Sequence, residues 1–524
     1  MRSDARQAAA RLGFSISMTR PAATSCKIVG MPIAATEPPT TENVLDTAQA
    51  GPAALRGSAV RTGAYVTGLL LSVISAPLLV RHLGEVEFGH YMTVVALVAI
   101  VAGFTEGGLN TIVLRAFATL GDEQRRGMMR SAIGIRLLLT LTGVALIVAF
   151  AAVAGYSTAM VIGTVLAGAG LVLQLLQSLL STTLQSRLRF GWASAIELLR
   201  QGVSVALIVA LVIAGAGIVP LLAIAIPAAA VSLAVTIPLV VRYTPLTPSF
   251  HVGHWWHLLR ESIPWATISA VNIVYLRVAI VAMSLTAAAV QTGYFAISFR
   301  IMEVLIGVPG MVIAPIFPIL VRTVHNDRAR FARTSGRLFE LSVLMATWLV
   351  VCVEVGAAFG IHVLGAGDPA IIVLRIQALS LVGNFTAMAC GFPLLTMGRF
   401  RPVLIANLMA LVVSATVTLL LAPELGARGG ALAVLAGETG LGLVSALILV
   451  RAMPDARLPV SIVPVAALAG CTATAAGLLL PIPPIIAAIV ATGVYLAVLA
   501  LCRRLPSELR ELLGGLRDMV LHAQ

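Results

Sequence analysis

Residues Glu261–Arg322 read ESIPWATISAVNIVYLRVAIVAMSLTAAAVQTGYFAISFRIMEVLIGVPGMVIAPIFPILVR. Two apolar runs flank a small-residue break at Ala287–Gln291. Each run is long enough to cross a bilayer core as a helix, which takes roughly 20 residues. Three charges stand inside them: Arg277, Arg300 and Glu303. An Arg at the centre of a membrane helix costs about 2.5–3.5 kcal/mol on insertion scales, so such a residue faces a bundle interior or a wet cavity. The stretch predicts a helical hairpin in a membrane protein with a polar pathway through it.

The rest of the chain agrees with that class. Its 524 residues are 59% hydrophobic and 11% charged, with a mean hydropathy of +1.00. Soluble domains carry about 25% charged residues. The net charge of +13 would suggest nucleic acid on a soluble protein. Here it reads as Arg gathered in cytoplasmic loops, and no nucleic-acid partner is expected. Cys26, Cys352, Cys390, Cys471 and Cys502 show no C-x-x-C spacing, so they predict neither a zinc site nor a disulfide framework. Walker A, G-x-S-x-G and H-E-x-x-H sequences do not occur. The sequence therefore predicts no enzyme, no catalytic residue, no metal and no cofactor.

Outward from the hairpin, apolar runs alternate with short polar breaks. They predict about fourteen spans: 62–80, 90–113, 132–154, 158–184, 195–214, 218–241, 263–286, 291–320, 338–362, 370–396, 402–422, 428–450, 460–480 and 483–502. With the N-terminus inside, the inner breaks collect Arg56 and Arg61, Arg115–Arg136, Arg187–Arg200, Arg242 and Arg260, Arg322–Arg337, Arg399 and Arg401, Arg451 and Arg457, and Arg503–Arg517. The outer breaks hold only Arg81 and Arg428. This asymmetry predicts a cytoplasmic N-terminus, and the even number of spans returns the C-terminus to the cytoplasm; the expected location is the cell's inner membrane. Residues 1–56 are rich in Ala, Thr and Pro and read as a disordered tail, with Met31 an alternative start. Residues 505–524 read as a short amphipathic tail at the inner surface.

The chain also resembles itself. Leu79–Leu97, LVRHLGEVEFGHYMTVVAL, parallels Val281–Phe299, VAMSLTAAAVQTGYFAISF; the helices that follow end in TIVLR at Arg115 and PILVR at Arg322. Such a parallel repeat predicts two six-helix lobes, 57–245 and 246–450, with two further helices in 451–504.

Ala76–Tyr91, APLLVRHLGEVEFGHY, resembles the first outer turn of polysaccharide flippases, in the multidrug/oligosaccharidyl-lipid/polysaccharide exporter superfamily. Glu106–Arg115, EGGLNTIVLR, is similar to the end of that family's second helix. The hairpin Ser262–Arg322 and Leu425–Glu438, LGARGGALAVLAGE, match as well. The resemblance implies an all-α integral membrane fold, with two six-helix lobes around a central cavity and two trailing helices. It implies a lipid-linked oligosaccharide as cargo, flipped by alternating access for surface polysaccharide. A polysaccharide polymerase and glycosyltransferases of the same pathway are implied as partners, with membrane lipid as the surroundings. One position departs. Family members often carry an acidic residue two places after the basic one of the seventh helix, where YLRVAIV has Ala279. A coupling carboxylate is therefore lost or moved.

The polar residues inside the spans are the candidate site. At i, i+3 spacing Arg300 and Glu303 can pair, which leaves the charge of Arg277 over. Arg277, Arg300 and Glu303 either form one structural ion network or, with Arg277 turned to the cavity, bind an anionic cargo through a rigid fork of donors. Glu106 and Asn110, at i, i+4, either line the cavity or join helices by hydrogen bonds. Arg115 and Arg322 read as interfacial anchors. Arg375 reads as reaching water near the outer end of its span, while Glu354, Asn384, Asn407 and Glu438 read as lone polar groups in apolar runs. Glu438, mid-span, is the candidate coupling carboxylate. His254, Trp255, Trp256 and His257 read as an interface belt. Two alternatives remain beside the flippase: a cation-coupled multidrug antiporter of the same fold, and a membrane-embedded polymerase, ligase or non-transporting scaffold.

Overall fold

The computed structural model describes residues 50–504, apart from 107, 188, 250–251, 314–315 and 454–457. Every regular element among them is an α-helix, the form in which a spanning segment satisfies its own backbone in hydrocarbon. The first group comprises α1 (Ala50–Glu106), α2 (Leu109–Thr119), α3 (Asp122–Val153), α4 (Thr158–Ser186), α5 (Phe190–Ile213), α6 (Ile218–Ala223) and α7 (Ala225–Val240). The second comprises α8 (Val252–Thr286), α9 (Ala289–Ile306), α10 (Val308–Ile313), α11 (Phe317–Asn326), α12 (Arg328–Leu364), α13 (Pro369–Thr396), α14 (Phe400–Leu425) and α15 (Ala427–Ala452). The last pair, α16 (Ile462–Leu479) and α17 (Pro484–Leu501), packs on α12.

Thirteen stretches of the described residues are long and apolar enough to cross a membrane. The first, Val73–Phe117, is 45 residues long, about twice what one crossing needs. Its helix α1 is two rods, because Gly84 sits at φ 70, ψ 176, a conformation that costs a side chain dearly and glycine little. Gly68, before the break, lies against Gln201 in the middle of α5, and Gly103, after it, lies against Ile273 of α8. Both are far from the turns that Gly84 joins, so the chain doubles back there and α1 carries two passes. The predicted fourteen spans are recovered in this way.

One end of the bundle gathers the turns that the charge pattern assigns to the outer face. Arg81 Nη2 donates to Val363 O at 2.9 Å, and Glu85 Oε1 accepts from Gly367 N at 3.1 Å. His82 Nε2 lies 2.7 Å from Ala216 O, and Gln291 Oε1 accepts from Ala427 N at 3.0 Å. Every second turn comes to the same end, as alternating crossings require.

The two repeat segments meet there. A Cβ on Gly89 would stand 2.9 Å from Gly293 N, and one on Gly293 would stand 2.1 Å from Glu85 O. The glycine of each repeat segment, in Gly89-His90-Tyr91 and in Gly293-Tyr294, is thus a point of backbone contact with the other segment. Around them Phe88, Met92, Phe295 and Phe299 belong to one buried core shared by both groups.

Two predicted spans differ. The second was read as continuous through 113, but α1 stops at Glu106, and Gly108, at φ 78, starts α2 in another direction. The eighth was read as one helix over 291–320, but α9, α10 and α11 divide it. Pro309 and Pro318 sit in the first turns of α10 and α11, where a missing N–H is tolerated. TIVLR and PILVR each fall on the short helix after a break, so the repeat extends to the interruptions. Conversely, α3, α8 and α12 begin about ten residues before their apolar runs, with Asp327 Oδ1 capping α12 at Arg330 N, 2.8 Å away.

Helices α2–α7 pack on one another, α8–α15 do likewise, and α2 and α3 meet α8 between the groups. Large apolar side chains such as Val153, Leu479 and Leu501 are more than four-fifths exposed, a surface suited to lipid rather than water. Residues 1–49 and 505–524, where the two tails were predicted, lie outside the described residues, as do the side chains of His254, Trp255, Trp256 and His257.

Candidate functional site

The hairpin α8–α9 turns between Thr286 and Ala289, within a residue of the predicted break. Antiparallel packing brings its three charges level. Glu303 Oε1 lies 2.5 Å from Arg277 Nη2, and Glu303 Oε2 lies 2.7 Å from Arg300 Nη1. The second contact follows from i, i+3 spacing; the first comes from packing across the turn. Of the two readings offered by the sequence, the packing gives the joined ion network, in which one carboxylate serves both guanidiniums. Phe299 adds its ring face, 5.9 Å from Arg277 Cζ, and Tyr91 of α1 lies within electrostatic reach of Arg300 and Glu303. The triad is partly buried and carries two positive charges against one negative. Arg277 Nη1 is buried without a hydrogen-bond partner.

A second polar centre lies in the first group. Asn110 Nδ2 donates to Ser178 Oγ at 3.0 Å and more weakly to Glu106 Oε1 at 3.5 Å. Its Oδ1 accepts from Arg136 Nη2 at 2.6 Å. Glu106 and Asn110 do touch, but not as one helical i, i+4 pair, because the chain breaks between them at Gly108. Arg136 is a correction too. Counted with the inner-loop cations, it is fully buried, and its Nε and Nη1 have no partner. Its signal in the sequence was SAIGIRLLLTL, in which every neighbour is small or apolar apart from flanking hydroxyls.

The third centre surrounds Glu438, which is 1% exposed. Asn384 Nδ2 lies 3.3 and 3.2 Å from its two oxygens. A Cβ on Gly383 would stand 2.4 Å from Glu438 O, so α13 and α15 touch backbone to backbone and bring the amide to the carboxylate. The Tyr275 hydroxyl faces the same carboxylate without a hydrogen bond of good geometry. Nearby, Asn272 Nδ2 donates to Asn407 Oδ1 at 3.3 Å. Arg375 Nε lies 3.6 Å from Glu354 Oε2. Glu354, Asn384, Asn407 and Glu438 are therefore all partnered, which corrects their reading as lone groups, while Arg375 pairs with Glu354 and stays partly exposed. Arg115 and Arg322 are exposed on the short helices α2 and α11, positions that suit anchors.

A helical bundle of this length and apolarity, with charged residues inside its spans, defines a multi-pass membrane protein. The chain belongs to the family described as polysaccharide biosynthesis protein, whose match covers residues 54–324. Its fold is that of the MOP superfamily. The lipid II flippase MurJ in an inward closed conformation superposes with a TM-score of 0.71 at 14% identity, over 85% of this chain and 98% of the flippase. An inward-facing multidrug resistance MATE family transporter gives 0.56 at 14% identity, over 74% and 95%. A MOP superfamily transporter from Pyrococcus furiosus, for which a reverse polarity of the binding pocket is described, gives 0.51 at 15% identity, over 77% and 94%. No curated protein matches the sequence.

Proposed function

We propose that the protein flips a polyprenyl-diphosphate-linked oligosaccharide from the cytoplasmic to the outer face of the inner membrane, by alternating access between its two helix groups. The observation that carries this reading is the triad: two guanidiniums share one carboxylate, and Arg277 Nη1 is buried with no partner. A diphosphate needs a fixed cation in a place of low dielectric, and Arg meets it with a planar fork of donors. The excess positive charge attracts an anion and repels the cationic cargo of a multidrug antiporter. Family membership in polysaccharide biosynthesis supports the same cargo class, and the flippase fold supports the same motion. In this reading both termini are cytoplasmic, 57–245 and 246–450 move as lobes, and the contacts of Arg81 and Glu85 with Val363 and Gly367 close the outer end. Glu438 is the carboxylate that takes up and releases the coupling ion. A polymerase and glycosyltransferases stand upstream and downstream of the cargo.

The test is reconstitution into liposomes with a fluorescent polyprenyl-diphosphate oligosaccharide. Transfer of label between leaflets, lost in Arg277→Ala, is expected. Export of a cationic dye with no transfer of the glycolipid would replace this reading by the antiporter.

A further inference from the structure

Between α1, α4 and α5 lies a cavity of about 460 Å³, within the range of roughly 300–1,000 Å³ that small-molecule sites occupy. It is separate from the hairpin triad, and its wall is of another kind. Its polar lining includes Glu106, Gln174, Ser178, Gln185, Glu197 and Gln201, with Phe190 beside them. Both carboxylates are already engaged. Glu197 is paired with Arg200 and accepts from Gln201 Nε2 at 2.8 Å, while Glu106 faces the Asn110–Arg136 pair. The cavity thus offers many hydrogen-bonding groups and little net charge. Among the described residues, the side-chain amides of Gln174 and Gln185 have no protein partner, and Gln201 Oε1 is buried without one.

We propose that this cavity is a binding site for uncharged sugar residues, distinct from the cationic triad. An amide donates and accepts at once, as a sugar hydroxyl does, so a row of Gln and Ser matches a polyol. Phe190 gives the apolar C–H face of a sugar ring a surface to lie on. The other cargo chemistries fit less well. A diphosphate needs the excess cation that this wall lacks, a lipid tail would leave the amides unsatisfied, and a bare ion is far smaller than the space. The assignment of the sugar to a lipid-linked glycan rests on the flippase reading above.

The experiment uses the full chain in nanodiscs and two probes: a polyprenyl-diphosphate tetrasaccharide of neutral hexoses and the bare polyprenyl diphosphate. Gln174→Ala combined with Gln185→Ala removes two hydrogen-bonding groups, which should weaken tetrasaccharide lipid binding roughly tenfold. Ser194→Phe, which fills the cavity from α5, should do at least as much. Both variants should bind the bare lipid as the unaltered chain does, and that reading doubles as the check on folding. Unchanged affinity for both probes would make the cavity a water-filled space and overturn the site. Equal loss for both probes would overturn it as well. If the unaltered chain binds both probes equally, the sugar site falls while the triad's role stands. If it binds neither, the flippase reading falls and the sugar site with it.

Discussion

Glu303 and Glu438 are both acidic residues inside apolar helices of the second group, and their surroundings differ completely. Two guanidiniums meet Glu303. An amide and a phenol surround Glu438, and among the described residues no cation reaches it. Isolated charge is costly in a medium of low dielectric, and pairing offsets that cost. The first carboxylate is therefore part of a fixed ionic cluster. The second depends on what else arrives, which is why the coupling role is proposed for Glu438 and the cargo role for the triad. Glu438 is also the more deeply buried of the two, but it is the partners that set the roles apart.

The comparison can be broken most directly at Glu303. Glu303→Ala leaves two arginines side by side with no counter-charge, and losing one partner of a buried pair costs about 3–5 kcal/mol. A large fall in membrane abundance and Tm is expected, partly restored by the double change Glu303→Ala with Arg277→Ala. If Glu303→Ala melts like the unaltered protein, the triad is not what holds the hairpin.

Arg277→Ala should act on transport instead. Arg300 keeps Glu303 paired, so the protein should insert and melt nearly normally. Losing a charge-assisted bond to the cargo, worth about 1.5–3 kcal/mol, should slow glycolipid flipping by roughly ten- to a hundredfold. Arg277→Lys should recover part of this, since the charge remains and the fork is lost. Flipping at the normal rate by a well-expressed Arg277→Ala protein would remove the triad from the cargo site.

Where the two repeat segments meet, Gly293→Ala places a methyl 2.1 Å from the carbonyl oxygen of Glu85. Forced overpacking of this kind costs about 1–3 kcal/mol, readable as a lower Tm. Gly84→Ala meets open space and carries only the conformational penalty of its positive φ, about 1–3 kcal/mol. A Gly293→Ala protein that melts like the unaltered chain would mean that the two repeat segments do not press together.

The smallest structural effect is expected at Glu438. Glu438→Gln keeps the shape and the contact with Asn384, so stability should change by less than about 1 kcal/mol. Flipping driven by an imposed ion gradient should nonetheless be lost, while passive exchange of bound glycolipid persists. Gradient-driven flipping at the normal rate in Glu438→Gln would send the coupling role elsewhere.

Much was decided along the chain alone. Hydropathy separates about fourteen spans because each must be apolar over a fixed length, and the arginine asymmetry orders their breaks into two sets. The repeat is visible as Gly-His-Tyr and Gly-Tyr at two turns, and the Arg300–Glu303 pair follows from helical spacing. Other features were decided only by the fold. Whether two helical charges share a level depends on the height at which antiparallel helices pack, so the Arg277–Glu303 contact has no local signature. Arg136 sits near a predicted span end, and linear sequence does not tell a snorkelling arginine from one turned inward on Asn110. The meeting of Gly89 with Gly293, and of Gly383 with Glu438, required backbones distant in sequence to come within a methyl's width. Local chemistry set which segments enter the membrane; packing between them set which polar groups meet inside it.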